Sequence, residues 1–302
     1  MLRGWARALL IASVLRTSSS NALGTNHSGC VHFMGLKLAS TGSTWWCEQL
    51  NKQQQTRIKE ELFTSSSRES PKRREQGMAS AMSCDGGAAR VRGFTISPAN
   101  SAGVSWLDVA RSQPDVRVVK WVRTNIVKVA VSMTRKNKLN VCGGKSNLAK
   151  AKGESSGCGA VRLALKPSDV RHYLAKHVGV SLELDAAVAA TRARVHVMVY
   201  EDMQRDARAA MRALYAFLGA PELVAAAEPP TKVYKKTPDD LRDTVENFDA
   251  VEALLAGLPV TAAACPLREM LHATGPTAFP RCDLTVVQQA LSRRRDKNNS
   301  ST

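Results

Sequence analysis

Negative charge is missing from two long stretches of this sequence. No aspartate or glutamate precedes Glu48, and none lies between Val116 and Gly153. Paired metal-binding cysteines are missing as well. The seven cysteines form no CxxC, and none stands with histidine at zinc spacing, which argues against a structural metal. The apolar run near the N-terminus falls far short of the roughly 20 residues that cross a bilayer, so no stable membrane span is expected. Gly144-Lys-Ser146 lacks the first glycine of a GxxxxGK[ST] phosphate loop, since Leu139 stands in its place, and it follows a helix where such a loop follows a strand. An ATPase built on that loop is therefore set aside.

What is present reads as a globular chain. Of the 302 residues 44% are apolar and 23% charged, a balance that excludes a wholly disordered chain, a collagen and a multispanning membrane protein. The net charge of +17 favours anionic partners: nucleic acid, a phosphorylated cofactor, an acidic glycan or an anionic membrane. The acid-free stretch from Val116 to Gly153 holds ten lysines and arginines. Solvated faces usually mix signs, so this region is expected to meet a polyanion or a phosphate-rich ligand. The three arginines Arg293–Arg295 are too few to argue for a nucleic-acid partner.

The first 24 residues allow three readings: a secretory signal peptide, an organelle transit peptide and an ordinary frayed N-terminus. Arg3 and Arg7 precede an apolar run from Ala8 to Leu15, and Ser20-Asn21-Ala22 offers a small-x-small cleavage site, as in a secretory signal peptide. The Arg- and Ser-rich, acid-free composition also suits an organelle transit peptide. The secretory pathway, as Golgi lumen or secreted protein, is one expected location, and an organelle is the other. Sequons at Asn26, Asn298 and Asn299 would make a secreted form a glycoprotein. In an oxidising compartment Cys265 with Cys282, and Cys142 with Cys158, are plausible loop-closing pairs; buried free thiols are equally open.

Along the chain, strand-length apolar runs alternate with helical periodicity. Val31–Ala39, Val91–Ser97, Val116–Arg123 and Val195–Tyr200 read as strands. Helices are expected at Trp45–Lys52, Ser105–Gln113, Asn125–Asn137, Pro167–Arg194 with a break at Gly179, Asp206–Gly219, and Asp239–Ala256 capped by Thr237 before Pro238. Gln53–Gln76 reads as a surface insertion or mobile loop, and a polar insertion is bounded at about 53–80. Ser292–Thr302 reads as a disordered basic tail. The domain proper spans about 30–285. Its fold class is α/β, with a mostly parallel central sheet flanked by helices on both faces.

Three segments carry chemistry. Ser40-Thr-Gly-Ser-Thr44 sits between a strand and a helix, where orphan N–H groups, the helix dipole and hydroxyl donors favour an anion. Arg123 ends the densest β-branched strand and is followed by a helix containing Ser132. Val199-Tyr-Glu-Asp-Met203 closes the last strand, and Phe217-Leu-Gly219 ends the helix after it. In this order the segments resemble the sulfotransferases that use 3′-phosphoadenosine-5′-phosphosulfate (PAPS). The first is similar to their 5′-phosphosulfate loop, [KR]-[ST]-G-[ST]-[ST]-[WL]. The second is similar to their 3′-phosphate element, an Arg and a Ser eight or nine residues apart. The third is similar to their YEDL … FLG stretch.

The resemblance implies a P-loop-NTPase-like three-layer sandwich and transfer of a sulfuryl group from PAPS to a hydroxyl or amine, with no metal required. Thr41, Gly42, Ser43 and Thr44 would bind the 5′-phosphosulfate, with Trp45 beside the nucleotide or in the core. Arg123 and Ser132 would bind the 3′-phosphate, and Lys235 and Lys236 would belong to a late loop closing over the donor. Glu48, one turn into the helix, is the candidate base; a first-turn surface glutamate is the plain alternative. Tyr200, Glu201 and Asp202 are expected to tie the strand end to the next helix. Two positions depart from the family pattern. Ser40 replaces the usual basic residue before the [ST]-G pair, leaving Lys37 as the nearest cation that could serve there. Thr124 takes the place of a second basic residue. The acceptor expected is a carbohydrate or glycan. Two further readings stay open: a different P-loop-like kinase or NTPase, and a non-catalytic polyanion-binding protein.

Overall fold

The computed structural model describes residues 30–38, 43–53, 55–60, 62, 70–84, 89–97, 115–139, 162–191, 193–226 and 240–299. The N-terminal segment, Ser40, Thr41, Gly42, the helix expected at 105–113, Cys142, Cys158, Gly144-Lys-Ser146, Lys235, Lys236, Thr237 and Pro238 lie outside them, as do the side chains of Thr44, Trp45, Asn298 and Asn299.

Five strands form one sheet: β1 (Val31–Lys37), β2 (Thr56–Lys59), β3 (Val91–Ile96), β4 (Arg117–Val122) and β5 (Arg194–Val199). Their spatial order is β2-β3-β1-β4-β5, and every neighbouring pair is parallel. Parallel neighbours need crossover connections, and helices supply them on both faces. One face carries α1 (Ser43–Asn51) and, later in the chain, α6 (Ala207–Phe217). Trp46, Cys47, Leu50, Met211, Leu214 and Tyr215 pack there on Phe33, Val119, Trp121 and Met198. The other face carries α2 (Pro71–Met82) and α4 (Pro167–Thr191). Met78, Met82 and Leu184 pack there on Met34, Leu36, Phe94, Ile96 and Val118.

A third core contains no strand residue. α3 (Ile126–Leu139) and α4 meet α7 (Phe248–Ala256), α8 (Leu267–His272) and α9 (Leu284–Asn299) there. The short α5 (Tyr200–Arg205) follows β5 directly.

Central packing depends on two glycines, Gly93 against Phe33 and Gly35 against Trp121. A Cβ on Gly35 of β1 would lie 2.2 Å from Cζ3 of Trp121 on the neighbouring β4 and 2.9 Å from Thr95 Cγ2 on β3. Only a residue without a side chain lets the fully buried indole lie flat across β1. Gly219, at φ +68°, ends the helix before it in the left-handed conformation that favours glycine, two residues past the end of α6.

Four expectations need correction. Gln53–Gln76 is not wholly a loop: β2 and the first half of α2 fall within it. The four residues of β2 alternate buried and exposed, so Thr56 and Ile58 join the core while Arg57 and Lys59 are exposed. Ser70 caps α2 by accepting from the N–H of Arg73, ahead of Pro71. Gly179 does not break α4, because buried Leu174, His177, Val178, Ser181 and Leu184 hold both flanks against the core. The Asp239–Ala256 helix divides into a 3₁₀ turn at Leu241–Asp243 and α7. Val245 bridges to Leu163, and the Asn247 side chain pairs with both the N–H and the C=O of Leu165, and these contacts hold residues 244–247 out of the helix. The tail is helical as far as Asn299, since α9, anchored by Val287, Ala290 and Leu291, continues through Arg293–Arg295.

One expected bridge is present, Cys265–Cys282. A second, Cys30–Cys84, was not among the expected pairs, and Cys47 is a buried free thiol.

Candidate functional site

In an open parallel sheet a crevice forms where neighbouring strands send their connections in opposite directions. Here β1 continues through α1 to β2 on one side, and β4 continues through α3 and α4 to β5 on the other. The two strands are hydrogen-bonded neighbours with Lys37 opposite Trp121. The segment 39–42 begins two residues past Lys37, and Arg123 stands two past Trp121. Both βα corners therefore leave the same edge of the sheet, one strand spacing apart.

Strand alternation directs the side chains at this edge. Val119 and Trp121 face the α1 layer, and Arg123 continues that series. Arg123 is 8% exposed, and its guanidinium lies over the Tyr200 ring, 4.7 Å from the centroid. Its Nε is 3.8 Å from Oε1 of Glu201, a carboxylate only 3% exposed. The same carboxylate accepts from the N–H of Thr124 at 3.0 Å and of Asn125 at 3.1 Å. Asn125 caps α3, its Oδ1 accepting from the N–H of Lys128 at 2.8 Å, and its Nδ2 donates to the Met270 carbonyl. Thr124 Oγ1 accepts from the N–H of Phe279.

Glu201 thus acts across the sheet edge, where the sequence suggested a tie from β5 to the helix after it. It supplies the anion at the start of α3, which carries no acidic residue in its own first turn, and it forms an ion pair with Arg123. Asp202 pairs with Arg205 of the same short helix and stays local. A strand end followed at once by Tyr-Glu-Asp was the available signal, but its target lies 76 and 77 residues upstream.

The start of α1 differs. Ser43 is its first residue and is buried, and α1 also lacks an acidic residue in its first turn. Glu48 lies in the second turn with its Oε2 enclosed and accepting no hydrogen bond among the described residues. Lys37, the last residue of β1, is 4% exposed, and its Nζ lies 3.8 Å from Oε1 of Glu60, just past β2. Its ammonium therefore leans toward the β3–β2 side, whereas Arg123 stands just past the end of β4. Ser132 is half-buried on α3.

Further buried polar groups surround this edge that the sequence did not single out. Lys128, in the first turn of α3, is buried. On the opposite face of β4, Lys120 pairs with Asp185 of α4, and burial, followed by the nearby Arg281, draws its ammonium down to about 8. His177 of α4 is buried, and burial together with the charge of Arg123 pushes its imidazole down to about 4. It is neutral at physiological pH. Their signal in the sequence was weak, because a lysine in a strand and a histidine in a helix usually read as surface or ordinary core.

No protein-family model matches the chain, and no curated protein matches it. A crystal structure of a sulfotransferase from Alicyclobacillus acidocaldarius is similar with a TM-score of 0.41 and 17% identity, covering 80% of this chain and 96% of that chain.

Proposed function

We propose that this chain is a PAPS-dependent sulfotransferase that moves a sulfuryl group from the nucleotide donor to a hydroxyl or amine of a carbohydrate acceptor in the secretory pathway. One observation carries the reading. The two corners whose sequences resemble the 5′- and 3′-phosphate elements leave adjacent strands at the topological switch point, with Arg123 held at that edge by Glu201 and Tyr200.

Each corner suits a different anion. At the start of α1 the orphan N–H groups and the Ser43 hydroxyl would take the phosphosulfate end, together with Thr41, Gly42 and Thr44. The start of α3 is already neutralised by Glu201, so the 3′-phosphate would be held by the Arg123 guanidinium and the Ser132 hydroxyl. Lys235 and Lys236 would close over the donor. The donor supplies an activated sulfuryl group and a bisphosphate leaving group. The protein's work is then positioning and charge stabilisation, as in phosphoryl transfer. Glu48 would take the acceptor proton, its enclosed Oε2 having no competing donor among the described residues. With Ser40 in place of the usual cation, Lys37 would have to leave Glu60 to stabilise the bridging oxygen.

The bridges Cys30–Cys84 and Cys265–Cys282 favour an oxidising compartment. The test is a thermal-shift series with PAPS, its bisphosphate product, ATP with Mg²⁺, and heparin on the wild type and Arg123→Ala. Stabilisation by PAPS and its product, lost in the variant, is expected. Unchanged PAPS affinity in the variant refutes the site. A shift with heparin alone favours a polyanion-binding protein, and a shift with ATP and Mg²⁺ alone favours a kinase or NTPase.

A further inference from the structure

The opposite edge of the sheet holds a second cluster of reactive side chains. Cys30 immediately precedes β1 and His32 is its second residue, so strand alternation turns both toward one face. Cys84 lies two residues beyond the end of α2. The strand start and the helix end meet there: Cys30 and Cys84 form a disulfide across a sequence separation of 54, with Cα atoms 6.3 Å apart. Nε2 of His32 lies 2.8 Å from Sγ of Cys84. One donor atom from each of the three residues falls within 4.8 Å of the others, and among the described residues no other trio of His, Cys, Asp or Glu donors converges in this way. Among the described residues the Cys265–Cys282 bridge has no such histidine.

A disulfide sulfur is a weak hydrogen-bond acceptor, so the imidazole nitrogen gains little from that position. Two thiolates and an imidazole, by contrast, are a soft, borderline donor set of the kind that binds Zn²⁺, at about 2.3 Å to sulfur and 2.0–2.1 Å to nitrogen. Donors already this close need only a small adjustment to share one tetrahedral ion. We propose that the Cys30–His32–Cys84 corner is a redox-gated metal site, closed as a disulfide when oxidised and holding a zinc-class divalent cation when reduced, with a water as fourth ligand.

The chemistry balances in two steps. A dithiol reductant gives two electrons and two protons to the disulfide, leaving two protein thiols and becoming a disulfide itself. The cation then displaces the two thiol protons to solvent and binds both thiolates and the neutral imidazole. The two states exclude each other, because the sulfur electron pairs form either the S–S bond or the metal bonds. Each state cross-links the same segment, which contains β1, α1, β2 and α2. The βα corner at Ser43 would therefore stay tethered in a reducing as well as an oxidising environment.

The test uses the full chain, reduced with a phosphine, desalted without oxygen and titrated with Co²⁺. The reduced wild type is expected to bind one equivalent with tetrahedral d–d absorption and a thiolate charge-transfer band. Added Zn²⁺ should bleach both and raise the melting temperature. Oxidised wild type should stay colourless. In the reduced state, Cys84→Ser should lose the bands, His32→Gln should bind Co²⁺ at least ~10-fold more weakly, and Cys265→Ser/Cys282→Ser should keep them. The oxidised wild type controls for variants that fold poorly. Absence of the bands from reduced wild type, or their full retention in Cys84→Ser, overturns the proposal, and so does their loss in the Cys265/Cys282 variant.

Discussion

Replacing Glu201 with glutamine tests how the sheet edge is held together. The native carboxylate accepts from two backbone N–H groups, at 3.0 and 3.1 Å, and lies 3.8 Å from the Arg123 Nε, with both side chains below 9% exposure. Glutamine keeps one acceptor, turns an NH₂ toward the second N–H and removes the charge. Hydrogen bonds to a charged group contribute about 1.5–3 kcal/mol each. Breaking a buried pair by removing one partner costs about 3–5 kcal/mol, because the other charge stays in the interior. Solvent and salt screen so buried a pair only weakly. A loss of about 3–5 kcal/mol is therefore expected, read from urea unfolding by circular dichroism at neutral pH and at two salt concentrations. The loss should vary little with salt. In urea-free buffer, where the variant is folded, the 3′,5′-bisphosphate should bind more weakly, because Arg123 has lost its ion pair with Glu201. A variant within 1 kcal/mol of wild type and with unchanged nucleotide affinity would refute the assignment of Glu201 as the group that positions Arg123.

Other expectations follow from the same geometry. Glu48→Gln should keep PAPS binding by thermal shift and lose about 10²–10⁴-fold in turnover; full activity removes Glu48 as the base. His177 is held near 4 when folded and returns to about 6.5 on unfolding, so between those values the unfolded chain binds the extra proton. Stability attributable to this group is thus complete above pH 6.5 and falls by about 3 kcal/mol as the pH drops toward 4. His177→Asn should flatten that limb in urea melts run from pH 7 to 4, and an unchanged slope would refute the assignment. Gly35→Ala should cost about 1–3 kcal/mol by forcing the Trp121 ring away from β1. An unchanged melting temperature there would show that the indole relocates freely.

Four of the five strands were legible because β-branched and aromatic residues cluster in runs bounded by polar or proline residues. β2 was not, because four residues with two outward cations resemble any polar loop until a neighbouring strand pairs with them. Gly179 read as a break because local propensity penalises glycine in a helix by about 1 kcal/mol; the buried residues on either side outweigh that. The candidate site was partly legible. Arg123 and Ser43 stood out by their place at strand–helix corners, whereas nothing local marked Glu201 as the partner of a corner 76 residues upstream.

The sequence by itself determined the alternation of strands and helices, the excess of positive charge and the two corners chemically suited to phosphate. These depend on interactions within a few residues, or on simple sums. Tertiary structure alone decided that the corners are neighbours, since strand order is set by which apolar faces find cover. It also decided that Glu201 pairs with Arg123 and that Cys30, His32 and Cys84 converge. Such meetings are made by packing between distant segments, and no local pattern in the chain records them.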